Sequence, residues 1–285
     1  QLICRISLMN SKINLNDSWT KYPVVAFDTE TSGAYAIESE IIELGAVKWF
    51  DGKIVDRFQT LLKPSKLLVE SNIRIHGITN EMVNDAPKMS EKIKSFAEFI
   101  DGSILLAHHA PFDLGFLTIA FEQNSISFPQ TFNLCTSLLS RALITTTNHK
   151  LQTLVKELAL TGGDAHRAFD DAYACMQVFF KCNEKLAGEL IPDDSLQRLF
   201  AIQGKDLDWK NYAVLTAGDP KLVTLYNACA HETELSISYL SGQTKGAQRK
   251  ITPLGIVRNP DGDYIHAFCH IDQTRKRFYI DKIII

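Results

Sequence analysis

The stretch "YPVVAFDTE", residues 22–30, is an apolar run that ends in two carboxylates. Its length and its Val and Phe content predict a buried strand, and its acidic end predicts that the strand stops at a functional site. Asp28 and Glu30 are two residues apart, so both side chains leave the same face of that strand. Two carboxylates held together at low dielectric repel, and the common remedies are a shared proton or a bound cation. A solvated strand end is the alternative, and the pair alone leaves it open.

Downstream, "EIIELGAVKWFDGKIVDRFQTLL" (40–62) reads as two strands around Asp51-Gly52, a hairpin turn signal. Ile93, Phe96, Ala97 and Ile100 then fall on one helical face, with Ser90 available as an N-cap. "SILLAHH" returns to strand character, "LGFLTIAFEQN" (114–124) reads as a helix, and a short strand follows near Phe132. "KLQTLVKELAL" (150–160) predicts a helix stopped by Gly162-Gly163, and a last helix runs from about Ala168 to about Leu186. Strands first, then alternating strands and helices, imply an α/β fold with a mixed sheet flanked by helices.

Two further carboxylates belong with this frame. Asp113, in "HHAPFDLGFL", follows a strand and opens a helix, where an N-cap is the plain reading. In "HRAFDDA" (166–172), simple helical spacing from His166 favours Asp170. However, Ala168, Asp171, Ala172, Cys175, Val178, Phe179 and Cys182 make one apolar face, whereas Asp170 lies with Tyr173, Gln177 and Lys181 on the polar side. Asp171 therefore faces inward, and a charge on an apolar face needs a partner.

"FDTETSG", "HHAPFDLGFL" and "HRAFDDA", in that order, resemble the three motifs of the DEDD-type 3′→5′ exonucleases, in the branch whose last motif carries a histidine. Within that branch the resemblance is to the epsilon subunit of bacterial DNA polymerase III, and "IIELGAVKW" and "IHGIT" (75–79) are similar to its intervening segments. The resemblance spans about residues 21–186 and implies a ribonuclease H-like fold with two divalent ions, Mg²⁺ or Mn²⁺. It implies Asp28, Glu30, Asp113 and Asp171 as metal ligands and His166 as general base, with His76, His108 and His109 as alternatives for the base. Thr31, Phe112 and His109 would lie on the substrate side. His109 departs from the family pattern, which has asparagine there. Oxygen ligands select Mg²⁺ or Mn²⁺ over zinc, and two such ions suit in-line displacement at a phosphodiester. A near-neutral histidine suits removal of the water proton.

From 187 to 220, Pro192-Asp193-Asp194, Gly204 and Gly218-Asp219-Pro220 predict a linker with one short helix. Beyond it, "ELSISYLS", "RKITPLGIV", "GDYIHAFCH" and "RKRFYIDKI" are β-branched and aromatic runs, implying a small all-β module. They are similar to the WYL domain, which implies an Sm/SH3-like barrel associated with nucleic acids or other anionic ligands. Only the tyrosine of the signature tripeptide is kept, in Asp263-Tyr264-Ile265, and Tyr279 stands at a usual arginine. Lys250, Arg275, Arg277 and Lys282 are the candidate anion-binding residues. "HAFCH" (266–270) suggests zinc, but strand alternation separates Cys269 from His266 and His270.

The expected organisation is an N-terminal extension (1–20), an exonuclease domain (21–186), a linker (187–220) and a WYL-like domain (221–285). Over all 285 residues the net charge is −3, but residues 221–285 hold nine Lys/Arg against six Asp/Glu, so this end is +3 and the remainder −6. "KGAQRK" (245–250) and "RKR" (275–277) are its dense points and suit an anionic partner. No apolar run approaches the roughly 18 residues that span a bilayer. "QLICRISLMN" lacks a secretory core and cleavage site, with Met9 an alternative initiator. The six cysteines contain no CxxC pair and read as reduced thiols, so a cytoplasmic protein is expected. These readings converge on a 3′→5′ exonuclease acting on single-stranded DNA to release nucleoside 5′-monophosphates, with a polymerase or repair complex as possible partner. An RNA-trimming enzyme, or a regulatory binding protein on a nuclease scaffold, are the alternatives.

Overall fold

A computed structural model describes residues 13–163, 166–242 and 245–285; Cys4 and Met9 lie outside the described residues. The chain opens, after a 3-10 turn at Trp19–Lys21, with β1 (Val24–Thr31), β2 (Ile41–Phe50) and β3 (Lys53–Leu61). Asp51 and Gly52 take φ of 49° and 79° between β2 and β3, the left-handed pair that a two-residue hairpin needs. Helices α1 (Glu70–His76), α2 (Asn80–Val83) and α3 (Met89–Ile100) follow, then β4 (Ile104–Ala107), α4 (Pro111–Gln123) and β5 (Phe132–Cys135). Strand order is β3-β2-β1-β4-β5, with β1 antiparallel to β2 and parallel to β4. This is the expected mixed sheet.

Helices α5 (Thr136–Leu143), α6 (Leu151–Glu157) and α7 (Ala168–Ala187) complete the cover. The first half of strand β1, Val24 to Phe27, is apolar because both its faces are buried. Val25 and Phe27 join Phe96 and Ile100 of α3 and Leu117 and Phe121 of α4 in one core. Val24 and Ala26 join Leu139 of α5 and Cys175 and Phe179 of α7 in the other.

Several boundaries differ from the sequence expectations. The N-cap of α3 is Lys88, not Ser90, because Glu91 accepts a hydrogen bond from the Lys88 amide at 2.7 Å. Helix α6 stops at Leu158, with Ala159 turning left-handed at φ 51°, before the glycines are reached. The segment read as a linker is built into the fold. Its helix α8 (Leu196–Gln203) packs on α5 and buries Leu196 and Leu199 in the core under α5 and α7, while Leu207, Trp209 and Tyr212 enter the α3/α4 core.

Gly218-Asp219-Pro220, read as a breaker, instead starts α9 (Pro220–Ala230): Asp219 caps it by accepting from the Lys221 amide at 2.8 Å, and Pro220 occupies the first turn. Strands β6 (Leu235–Tyr239), β7 (Gln248–Val257), β8 (Tyr264–Cys269), β9 (Thr274–Tyr279) and β10 (Ile283–Ile284) form an antiparallel sheet in the order β10-β6-β7-β8-β9. The expected barrel does not close. Strand β9 runs straight into a 3-10 turn at Ile280–Lys282, and the two residues of β10 pair with β6, so among the described residues no ladder joins β9 to β10. Leu222, Leu225 and Cys229 of α9 fill one face of this sheet, with Ile251, Ile256, Ile265 and Phe278.

The two sheets are tied together. Ile119 of α4 and Val214 enter the C-terminal core, with Ala36 and Ile37 packed on it. Tyr35, from the loop after β1, lies over Gly255 of β7: a Cβ there would come within 2.4 Å of the Tyr35 ring. The Tyr35 hydroxyl and His266 Nδ1 are hydrogen-bonded at 2.7 Å. Among the described residues no helix is long and apolar enough to cross a membrane.

Candidate active site

The end of β1 receives two helix starts. Asp28 and Glu30 share the parity of Val24 and Ala26, so they leave β1 on the side covered by α7. Asp171, in the first turn of α7, is buried, and Asp170 beside it is half-buried. Ligand atoms of Glu30, Asp171 and His166 lie within 4.8 Å of one another. Asp113 comes from the first turn of α4. It does not cap the helix, whose N-cap is Ala110; its Oδ1 accepts instead from the Thr29 amide at 3.1 Å and the Thr29 hydroxyl at 2.8 Å. Those bonds aim a buried carboxylate at β1.

His166 stands just outside α7 with φ 62°, a left-handed backbone that histidine tolerates better than most residues. Its amide donates to Asp171 Oδ2 at 3.0 Å, and Gln152 Nε2 of α6 donates to Oδ1 at 3.0 Å, so the Asp171 carboxylate is fixed from both sides.

The electrostatics follow from burial. Asp28 is raised well above the usual carboxylate range, first by desolvation and then by the charges of Asp113, Asp171 and Glu30. Glu30 is pushed up to about 8 by burial and by Asp171, Glu43 and Asp113, with Arg167 opposing. Asp113 and Asp171 are raised mainly by burial, against the hydrogen bonds they accept. Four carboxylates converge where none is comfortable as an anion, and the donors are oxygens with one imidazole. A hard divalent cation fits such a set. Among the described residues no other group of His, Cys, Asp and Glu is arranged to hold a metal.

Sequence reasoning missed the parts that hold this arrangement. Glu43 of β2 is fully buried and takes a bidentate pair from Arg167, Nε to Oε2 at 3.1 Å and Nη2 to Oε1 at 2.9 Å; the Ala168 amide adds a third bond at 3.2 Å. This clamp seats the start of α7, and His166 with it, over the sheet. Gly45 pairs with Asp28 across the ladder, and a Cβ there would lie 2.2 Å from the Phe169 amide nitrogen. Only a glycine lets α7 come that close. A charge inside "IIELGAV" was the available signal for Glu43; Gln152 carried none.

His108 is buried, with Nε2 bonded to the His149 carbonyl at 2.9 Å and Nδ1 to the Thr136 hydroxyl at 3.0 Å. Burial lowers it to about 4, so it stays neutral. His76 accepts from the Ile78 amide at 3.0 Å and is also lowered by burial. His109 has φ 65°, so this position demands a left-handed backbone, which asparagine and histidine both supply. Phe112 is exposed on the same turn, and the Thr31 hydroxyl donates to the Gly33 carbonyl at 2.8 Å.

In the C-terminal sheet, Lys250 pairs with Glu234, whereas Arg277 lies 4.1 Å over the Tyr264 ring and Lys282 5.2 Å over Tyr279. Arg275 faces Phe268 across the ladder. His266 bonds Tyr35, His270 bonds Thr252 and Cys269 contacts Asp272, so "HAFCH" forms no zinc cluster.

A mixed sheet with carboxylates from β1, α4 and α7 and a histidine ahead of α7 defines a ribonuclease H-like nuclease of the DEDDh type. Residues 25–179 match the exonuclease family model; this is more than half of the chain, which belongs to that family. Residues 220–284 match the WYL domain. The chain is 39% identical over 165 residues to the PolC-type DNA polymerase III of Oceanobacillus iheyensis, covering 57% of this chain and 11% of that protein. It is 32% identical over 186 residues to the PolC-type DNA polymerase III of Thermotoga petrophila, covering 65% of this chain and 14% of that one. It thus spans only a small part of these relatives. E. coli exonuclease I in complex with a dT13 oligonucleotide shares the fold, with a TM-score of 0.55 at 14% identity over 92% of this chain and 64% of that one.

Proposed function

We propose that the protein is a metal-dependent 3′→5′ exonuclease that removes nucleoside 5′-monophosphates from single-stranded DNA. The buried acidic cluster with a histidine at its mouth, within an exonuclease fold, carries this reading. Asp28, Glu30, Asp113 and Asp171 would hold two divalent cations, Mg²⁺ or Mn²⁺. Such ions supply charge stabilisation at the phosphoryl oxygens and at the leaving 3′ oxygen.

The remaining steps belong to the chain itself. His166 is exposed at the mouth of the cluster, where its imidazole takes the proton of the attacking water. Its backbone bond to Asp171 and the neighbouring Arg167–Glu43 clamp keep the ring over the carboxylates. Thr31, His109 and Phe112 are proposed to position the terminal nucleotide, Phe112 offering an exposed ring to a base. DNA is favoured over RNA because the similar proteins with matching motifs are DNA polymerases by name. A polymerase or repair assembly is the corresponding proposed partner, and the C-terminal domain is proposed to bind nucleic acid or another anion through Arg275, Arg277 and Lys282.

The test is digestion of a 5′-labelled strand with Mg²⁺, Mn²⁺ or chelator, beside a 3′-blocked strand and a matched RNA. Stepwise shortening of the unblocked DNA, abolished by chelator, is the expected result. Equal degradation of the blocked strand would exclude the polarity, and faster shortening of RNA would exclude the substrate.

A further inference from the structure

A cavity of about 720 Å³ lies where the nuclease domain, the 205–214 segment and the C-terminal sheet meet. Its size falls within the range of about 300–1,000 Å³ usual for small-ligand pockets. From the nuclease domain it is lined by His109 and Phe112, next to Asp113, and by Tyr35, from the loop after β1; from the C-terminal sheet it is lined by Tyr264 and Arg258. The cavity is therefore shared by the two domains and borders the turn that carries His109 and Phe112 ahead of Asp113.

The lining has the chemistry of a base-and-phosphate site. Aromatic rings, among them those of Phe112, Tyr35 and Tyr264, border it, and aromatic faces stack any base. Arg141 is exposed on the rim, and among the described residues it has no ion pair, whereas Arg258 is spent on Asp263 at 2.9 Å and on the Ala213 carbonyl. Tyr212 is 1% exposed, lines the cavity, and its hydroxyl has no hydrogen-bond partner among the described residues. A buried hydroxyl without a partner costs stability unless something supplies one. A nucleotide offers all the complementary groups: a base to stack, polar edges for Tyr212 and a phosphate for Arg141.

We propose that this interdomain cavity is a nucleotide-binding subsite, built jointly by both domains, which holds a nucleotide of the substrate strand on the 5′ side of the scissile bond. The inference rests on the exonuclease reading. A free nucleotide has the same chemistry and is the other source to be tested.

The experiment uses the full chain and two substitutions on the C-terminal wall: Tyr264→Ala, which removes a stacking face, and Val257→Trp, which fills the cavity. Melting temperatures establish that each variant folds. Hydrolysis of a twenty-nucleotide DNA strand is read as separate KM and kcat, and thymidine 5′-monophosphate is titrated calorimetrically with chelator present. The expected result is a rise in KM of about tenfold in both folded variants with kcat kept within about twofold. An unchanged KM with loss of thymidine 5′-monophosphate binding assigns the cavity to a free nucleotide instead of the strand. If neither quantity changes, the subsite is overturned while the exonuclease reading stands. If the wild-type chain cuts no strand, the exonuclease reading fails, and the titration still decides whether the cavity takes a nucleotide.

Discussion

In the first sheet, Asp28 and Glu30 meet Asp113 and Asp171 under the cover of α7, and among the described residues none of the four forms an ion pair with Lys or Arg. In the second sheet, Arg249 and Lys276 share Asp272, Lys250 faces Glu234 and Arg258 holds Asp263. One region collects like charges and buries them; the other pairs opposite charges, with Lys250 and Glu234 exposed and Arg249 and Arg258 largely covered. Buried like charges are unstable alone and imply a cation, whereas paired exposed charges contribute little to stability or to recognition. The difference explains why the acidic site could be read from residue patterns and the basic one only partly.

The largest expected effect tests the first region. Asp171→Ala should lower hydrolysis on the order of 10⁴-fold with the far-ultraviolet spectrum unchanged, and His166→Ala about 10²- to 10⁴-fold. Asp170→Ala should stay within about threefold of wild type; an equal loss at both aspartates would overturn the assignment of faces.

Next is the clamp. Arg167→Ala leaves Glu43 buried without its partner and should cost about 3 kcal/mol in urea unfolding, as expected for a broken buried pair. The double variant Arg167→Ala with Glu43→Gln should recover part of that loss, since the uncompensated charge is gone.

A smaller effect comes from pH. In chelator, folded Glu30 holds its proton up to about 8, whereas the unfolded chain releases it near 4.5. The folded state thus binds more protons between these values, so stability is lost as pH rises from about 4.5 through 8. Melting temperatures in chelator should fall across that window, and Mn²⁺ should remove much of the fall. A flat profile in chelator would show that the carboxylates are not crowded.

The smallest effect belongs to the second region. Lys250→Ala should leave the melting temperature within about 1 °C, because its exposed pair with Glu234 is screened by water. A large drop would erase the contrast between the two sheets.

Much of the first region was legible because its signals are local. The apolar run before Asp28, the hairpin turn at Asp51-Gly52 and the face of α7 that carries Asp171 all follow from periodicity within a few residues. Glu43, Arg167 and Gln152 were not legible, because their partners lie 124 residues away in the clamp and 19 in the Gln152 bond. The argument that singled out Asp171, a charge among apolar neighbours, applies equally to Glu43, and there the partner proved to be an arginine. In the C-terminal region, Asp219-Pro220 was read as an interruption although the same pair is a helix start. Barrel closure depends on where β9 ends relative to β10, which no residue pattern encodes.

The contact between Tyr35 and Gly255 bears on how this protein can be rebuilt. The ring on the nuclease side fills space that a methyl group on the other side would take, and the hydroxyl finds its acceptor or donor on His266. The two halves therefore share a lock whose parts are encoded more than 200 residues apart. A chimera that joins this nuclease segment to another β module must also bring a glycine opposite Tyr35, and one that moves the β module elsewhere must supply the tyrosine.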